Sequence, residues 1–107
     1  MTMRPFKAKG YRAKEVLDLV HIDLYGLIST SARGGYEYFI TFIDDYSGYG
    51  YIFLMHHKYE TFKKFKEYKA EVENLHGKSI KSLRSDRGGE YLLDEFRQYL
   101  KDYGITS

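Results

Sequence analysis

The sequence predicts a mixed α/β domain whose elements follow in the order β-β-β-α-β-α. The hydrophobic pattern supports this fold class, because the alternation typical of strands gives way near Glu60 to the spacing of an amphipathic helix. The size supports it too, since 107 residues with 43% hydrophobic and 30% charged side chains are typical of one globular domain. Because a helix precedes the fourth strand, that strand is expected to join the sheet in parallel through a right-handed crossover.

Three strand-like segments come first and are expected to form an antiparallel sheet. Val16–Tyr25 alternates along most of its length, with apolar side chains on one face. Tyr36–Ile43 is aromatic or β-branched at nearly every position, which is typical of a strand covered on both faces. The turn sequence DDYSG at 44–48 then leads into Tyr49–Met55 and completes a hairpin. Turn chemistry explains its two aspartates without a metal ion.

Two helix-like segments flank the fourth strand. In the first, apolar residues such as Phe65 and Leu75 recur at helical spacing, and Gly77 lies where a helix would end. Ser79–Asp86 predicts a short strand that ends in a polar cluster. A second amphipathic helix follows and is expected to end at Gly104.

Composition and charge exclude several functions. The net charge of +2 is too small to indicate a polyanion-binding protein by charge alone. The absence of cysteine excludes a disulfide, a thiol nucleophile and a cysteine-ligated zinc site. The apolar runs are too short to span a membrane, and residues 1–14 lack the apolar segment of a secretory signal. We therefore expect a soluble, non-secreted protein with a basic N-terminal arm at 1–14 and one domain at 15–107.

Asp23 and Asp86 are the candidate metal ligands. If the fourth strand pairs with the free side of the first, the two carboxylates lie near neighbouring strand ends. Burying an aspartate within an apolar strand costs free energy unless its carboxylate is paired or bound to a metal. Two carboxylates suit a hard cation such as Mg²⁺ or Mn²⁺, and pairs of such ions serve phosphoryl transfer. A hydrogen-bonded strand end or a simple turn explains each residue as well.

Four segments of the chain resemble the integrase core of copia-type LTR retrotransposons. The blocks H-x-D-L and R-S-D-x-G-G-E, in this order and at this spacing, are the most specific part of the resemblance. It extends from Arg4 to the last residue. The segments are RPFKAKGYRAKEVLDLVHIDLYG (Arg4–Gly26), GGYEYFITFIDDYSG (Gly34–Gly48), FKEYKAEVEN (Phe65–Asn74) and IKSLRSDRGGEY (Ile80–Tyr91).

The resemblance implies an RNase H-like fold and a DDE polynucleotidyl transferase that joins element ends to target DNA with two divalent ions. By motif, Asp23 corresponds to the first acidic ligand and Asp86 to the second. The third acid of the family is a glutamate that falls beyond Ser107. The resemblance therefore implies a partial catalytic core at 15–107, with an incomplete sheet and an incomplete metal site, that is inactive alone. It also implies a nuclear location.

Lys81, Arg84 and Arg87 are the candidate nucleic-acid contacts. At a net charge of +2, binding to DNA is expected to be weak, salt-sensitive and independent of sequence. His21 lies beside Asp23, and a packed, hydrogen-bonded histidine explains it better than a metal ligand does.

Two other functions remain open at this point. The chain could be a non-catalytic remnant module that binds nucleic acid or a protein. The last strand would begin at Ile105, so that an unfinished sheet edge would favour self-association or a partner. A partner chain could also supply the missing acid to an active enzyme.

Overall fold

Five strands and two helices make up the described parts of the chain. The computed structural model describes residues 2–5, 13–26, 35–85 and 93–107. The strands are β1 (Thr2–Pro5), β2 (Val20–Gly26), β3 (Tyr38–Asp44), β4 (Tyr49–Met55) and β5 (Leu83–Ser85). The helices are α1 (Thr61–His76), which directly follows a 3₁₀ helix at Lys58–Glu60, and α2 (Asp94–Asp102).

The strands form one mixed sheet in the order β1-β4-β3-β2-β5. Strands β2, β3 and β4 are antiparallel neighbours, and β5 pairs in parallel with β2 after the α1 crossover. The α/β fold class and the predicted position of the fourth strand beside the first are therefore confirmed. The sequence did not predict β1, which extends the other edge of the sheet by pairing with β4.

Strand β2 begins later than its sequence pattern predicts. The prediction of a strand from Val16 is wrong for residues 16–19, which form a turn before Val20. Leu17 has a φ of +69° and is buried, and its N–H donates a 2.7 Å hydrogen bond to Asp44 Oδ1. Because this carboxylate belongs to Asp44, the last residue of β3, the local alternation around Leu17 could not reveal that it holds the chain in a turn here.

The hydrophobic core lies between one face of the sheet and the two helices. Phe42 of β3 stacks on Tyr68 of α1 with ring centroids 4.6 Å apart, and Phe65 of α1 contacts Phe96 of α2 at 5.1 Å. Burial raises the pKa of the Tyr68 phenol, which therefore stays neutral. Leu75 was predicted to be in the apolar stripe of α1 but is 64% exposed, since it lies in the last turn of the helix.

The residues after α2 return to the sheet. Gly104 has a φ of +68° and ends the helix as predicted, and the Ile105 N–H donates to the Leu100 carbonyl at 2.8 Å. Thr106 then forms a parallel bridge with Ser82, beside β5. This bridge agrees with the prediction that a further strand begins near Ile105. Within the described ranges, neither helix has the length and apolar character needed to cross a membrane.

Candidate metal and nucleic-acid site

Asp23 lies on the face of the sheet that does not contact the helices. Along β2, Val20, Ile22 and Leu24 are buried in the core, so the alternating side chains of His21, Asp23 and Tyr25 lie on the opposite face. The residue opposite Asp23 on β3 is Thr41. The sequence alternation therefore assigned Asp23 to the correct face.

The second candidate ligand follows β5. In the parallel pair, Val20, His21 and Ile22 are opposite Leu83, Arg84 and Ser85. The next residues in the chain after Ile22 and Ser85 are Asp23 and Asp86. Asp86 and Arg87 lie outside the described residues, so their role in the site stays a prediction.

A tyrosine that sequence reasoning did not single out contacts Asp23. The Tyr25 hydroxyl donates a 2.9 Å hydrogen bond to Asp23 Oδ2. The Tyr25 ring stacks on Phe39 of β3, with centroids 4.7 Å apart and an interplanar angle of 15°. The signal for this contact was present in the sequence, because residues two apart on a strand lie on the same face.

His21 is hydrogen-bonded, as predicted, and its partner is an aspartate of the β3–β4 turn. Its Nε2 lies 2.8 Å from Asp45 Oδ1, and Asp45 Oδ2 accepts a 3.0 Å hydrogen bond from the Ala13 N–H. Asp45 is only 2% exposed. The neighbouring Asp44 accepts from the N–H groups of Leu17 and Ser47. Asp44 therefore stabilises the turn as predicted, whereas Asp45 binds Ala13 and the β2 residue His21.

Arg84 is the better placed of the two described basic candidates. It is exposed, and its position opposite His21 puts it on the same sheet face as Asp23. It also lines a cleft of about 440 Å³. Lys81 Nζ instead lies 3.5 Å from Asp18 Oδ1, so part of its charge is offset.

The comparisons with known proteins identify the family. Residues 13–107 match the integrase core domain. The chain belongs to the integrase core family. The retrovirus-related Pol polyprotein from transposon TNT 1-94 of Nicotiana tabacum is 39% identical over 100 residues, which are 94% of this chain and 8% of the polyprotein. The Pol polyprotein from transposon RE2 of Arabidopsis thaliana is 28% identical over 102 residues, 95% of this chain and 7% of that protein.

Solved integrase structures share the fold. The HTLV-2 integrase catalytic core domain, determined in complex with magnesium in a dimeric form, superposes with a TM-score of 0.64 at 20% identity. The match covers 89% of this chain and 61% of that domain. A trimeric form of the same domain gives a TM-score of 0.63 at 18% identity. The RNase H-like fold of this integrase core is thus confirmed.

Of the two candidate ligands, the structure describes only Asp23, which is a donor of the kind that Mg²⁺ prefers. The Asp23 carboxylate is an oxygen ligand on a regular strand, which suits a hard divalent cation. Within residues 2–5, 13–26, 35–85 and 93–107, no three His, Asp or Glu side chains are grouped so that they could hold a metal ion. A complete site would therefore need Asp86 or another residue outside those ranges.

Proposed function

We propose that this chain is part of the integrase core of a copia-type retrotransposon, in which Asp23 and Asp86 bind a divalent cation for polynucleotidyl transfer to target DNA. The observation that carries the proposal is the parallel register of β2 and β5, since Ile22 and Ser85 are opposite each other and each precedes one of the aspartates. Membership of the integrase core family and the transposon Pol relatives support the reaction class.

The carboxylates of the chain would bind and orient the cation. When bound, Mg²⁺ or Mn²⁺ stabilises the charge that develops on the phosphate during transfer. Asp23 pairs with Thr41 of β3 and directly follows the three residues of β2 that pair with β5, so its backbone is held in place before a cation arrives. Such a preformed ligand lowers the entropic cost of binding. We also propose a nuclear location, because integration requires chromosomal DNA.

Arg84 would contact the DNA backbone, and its replacement tests this role. We expect Arg84→Gln to weaken the binding of a short DNA duplex and to lower the slope of log affinity against log salt by about 0.9, the value for one lost phosphate contact. Fluorescence anisotropy at several salt concentrations measures both quantities. Lys81→Gln is expected to have a smaller effect, because Asp18 already offsets the Lys81 charge.

Lys63→Gln is the matched control for Arg84→Gln, since it removes the same charge from an exposed position on α1. Equal losses of DNA affinity in the Arg84 and Lys63 variants would contradict a localised contact. They would indicate that only the net charge matters.

A joining assay on residues 1–107 tests the catalytic part of the proposal. We expect DNA binding without strand joining in Mg²⁺ or Mn²⁺, because the resemblance assigns the third acid to a position beyond this segment. Joined product formed by the segment alone would contradict this expectation. If the segment binds no divalent cation, and its DNA affinity is unaffected by Asp23→Asn, the result favours the alternative of a non-catalytic binding module.

A further inference from the structure

We propose that Tyr25 is a positioning residue that holds the Asp23 carboxylate in the orientation needed to bind a divalent cation. This inference rests on the proposed metal-binding role of Asp23. It adds a residue that would act through a ligand and would not itself contact the cation.

The Tyr25 side chain is restrained at two points, by a hydrogen bond to Asp23 and by stacking on Phe39. Tyr25 and Asp23 are two residues apart on β2, so both side chains lie on the same face, and the hydroxyl donates to Asp23 Oδ2 at 2.9 Å. Phe39 is directly opposite Tyr25 in the β2–β3 register. The two rings stack at 4.7 Å, a cross-strand aromatic pair that restrains the tyrosine.

The other neighbour of Asp23 on this face of β2 is engaged elsewhere. His21 lies two residues before Asp23, and its Nε2 is 2.8 Å from Asp45 Oδ1. The imidazole therefore binds the β3–β4 turn, whereas the phenol of Tyr25 binds the candidate ligand.

A hydroxyl donor can orient a carboxylate without displacing a cation. Each carboxylate oxygen has two lone pairs, so Oδ2 can accept from Tyr25 and still bind a cation with the second pair. The hydrogen bond fixes the plane of the Asp23 carboxylate, so less side-chain freedom is lost when the cation binds. Removing such an outer hydrogen-bond partner typically costs about 10- to 100-fold in metal affinity.

Tyr25→Phe is the informative variant, because it removes the hydroxyl and keeps the ring that stacks on Phe39. Tyr49→Phe is the matched control, since Tyr49 is exposed on β4 and lies on the core face of the sheet, away from Asp23. We expect Tyr25→Phe to weaken Mn²⁺ binding about 10-fold in proton-relaxation titrations. Tyr49→Phe should bind Mn²⁺ like the parent chain.

A measurement without metal tests the contact independently. The ¹³C chemical shift of the Asp23 carboxyl, recorded at neutral pH in metal-free protein, should move in Tyr25→Phe and stay unchanged in Tyr49→Phe. An unchanged Asp23 signal in Tyr25→Phe overturns the inference whatever the metal titration gives. A shifted signal with parental Mn²⁺ affinity overturns it as well.

Failure of the proposed function would look different. If the Asp23 signal moves in Tyr25→Phe but the parent chain shows no Mn²⁺ binding that depends on Asp23, the proposed metal site is wrong. The moved Asp23 signal would still support the hydrogen bond between Tyr25 and Asp23.

Discussion

Replacing Asp23 with asparagine is expected to lower the affinity of the chain for Mn²⁺ by more than about 10-fold. Losing a residue that only hydrogen-bonds a metal ligand already costs about 10-fold or more, and a changed ligand should cost more than that. The substitution keeps the size of the side chain but removes the negative charge and one carboxylate oxygen, and hard cations bind charged oxygen donors best. Isothermal titration calorimetry or water-proton relaxation measures the change in Mn²⁺ affinity.

Asp102→Asn provides the control for the charge. Asp102 is exposed at the end of α2, where it accepts a 2.8 Å hydrogen bond from Gln98, so its substitution removes one carboxylate from a helix end outside the sheet. Its Mn²⁺ affinity should match that of the parent chain. Asp86→Asn should reproduce the loss seen with Asp23→Asn. If the Asp23 and Asp102 variants bind Mn²⁺ equally well, Asp23 is not a ligand.

Replacing Asp44 with alanine is expected to lower the free energy of unfolding by about 2 kcal/mol, since the buried Leu17 N–H is left without its acceptor, which costs about 1–3 kcal/mol, whereas Ser47 is exposed and water can bind its N–H. Asp44 is 4% exposed and accepts hydrogen bonds from the N–H of Leu17 at 2.7 Å and of Ser47 at 2.8 Å. Both donors would lose their partner at once. Urea unfolding followed by circular dichroism gives the difference.

The same measurement on Asp102→Ala should give a change within about 0.5 kcal/mol, as is usual for an exposed residue. A loss for Asp44→Ala as small as that for Asp102→Ala would mean that water replaces the carboxylate. The segment before β2 would then be held by other contacts.

Local patterns predicted most of the fold because they depend on neighbouring residues. The β3–β4 hairpin follows from its turn residues, and the end of α2 follows from Gly104, which adopts the left-handed φ that glycine favours. Strand β1 was not predicted, because four residues show no clear period and the strand is defined by its pairing with β4. The start of β2 was misplaced because Asp44, 27 positions further along, binds the Leu17 N–H.

The candidate site was predictable to a similar extent. Alternation assigned Asp23 to its face of β2, and the strand–helix–strand order predicted a parallel fourth strand, which pairs with β2 as the sequence analysis considered. The Asp45–His21 contact joins residues 24 positions apart, and no local pattern encodes it. The Tyr25–Asp23 hydrogen bond follows strand spacing, yet spacing alone does not say which way a side chain turns.

The hydrogen bonds made by Asp44 and Asp45 bear on the position of Asp23 in the middle of β2. Asp44 accepts a hydrogen bond from the Leu17 N–H, and Asp45 binds the Ala13 N–H and the His21 ring. These contacts fix the residues around the start of β2. A slip of one residue would invert every side chain of β2 and send the acid at position 23 into the apolar interior. The hydrogen bonds of Asp44 and Asp45 therefore help to set the register that places Asp23, the proposed cation ligand, on the outer face of the sheet.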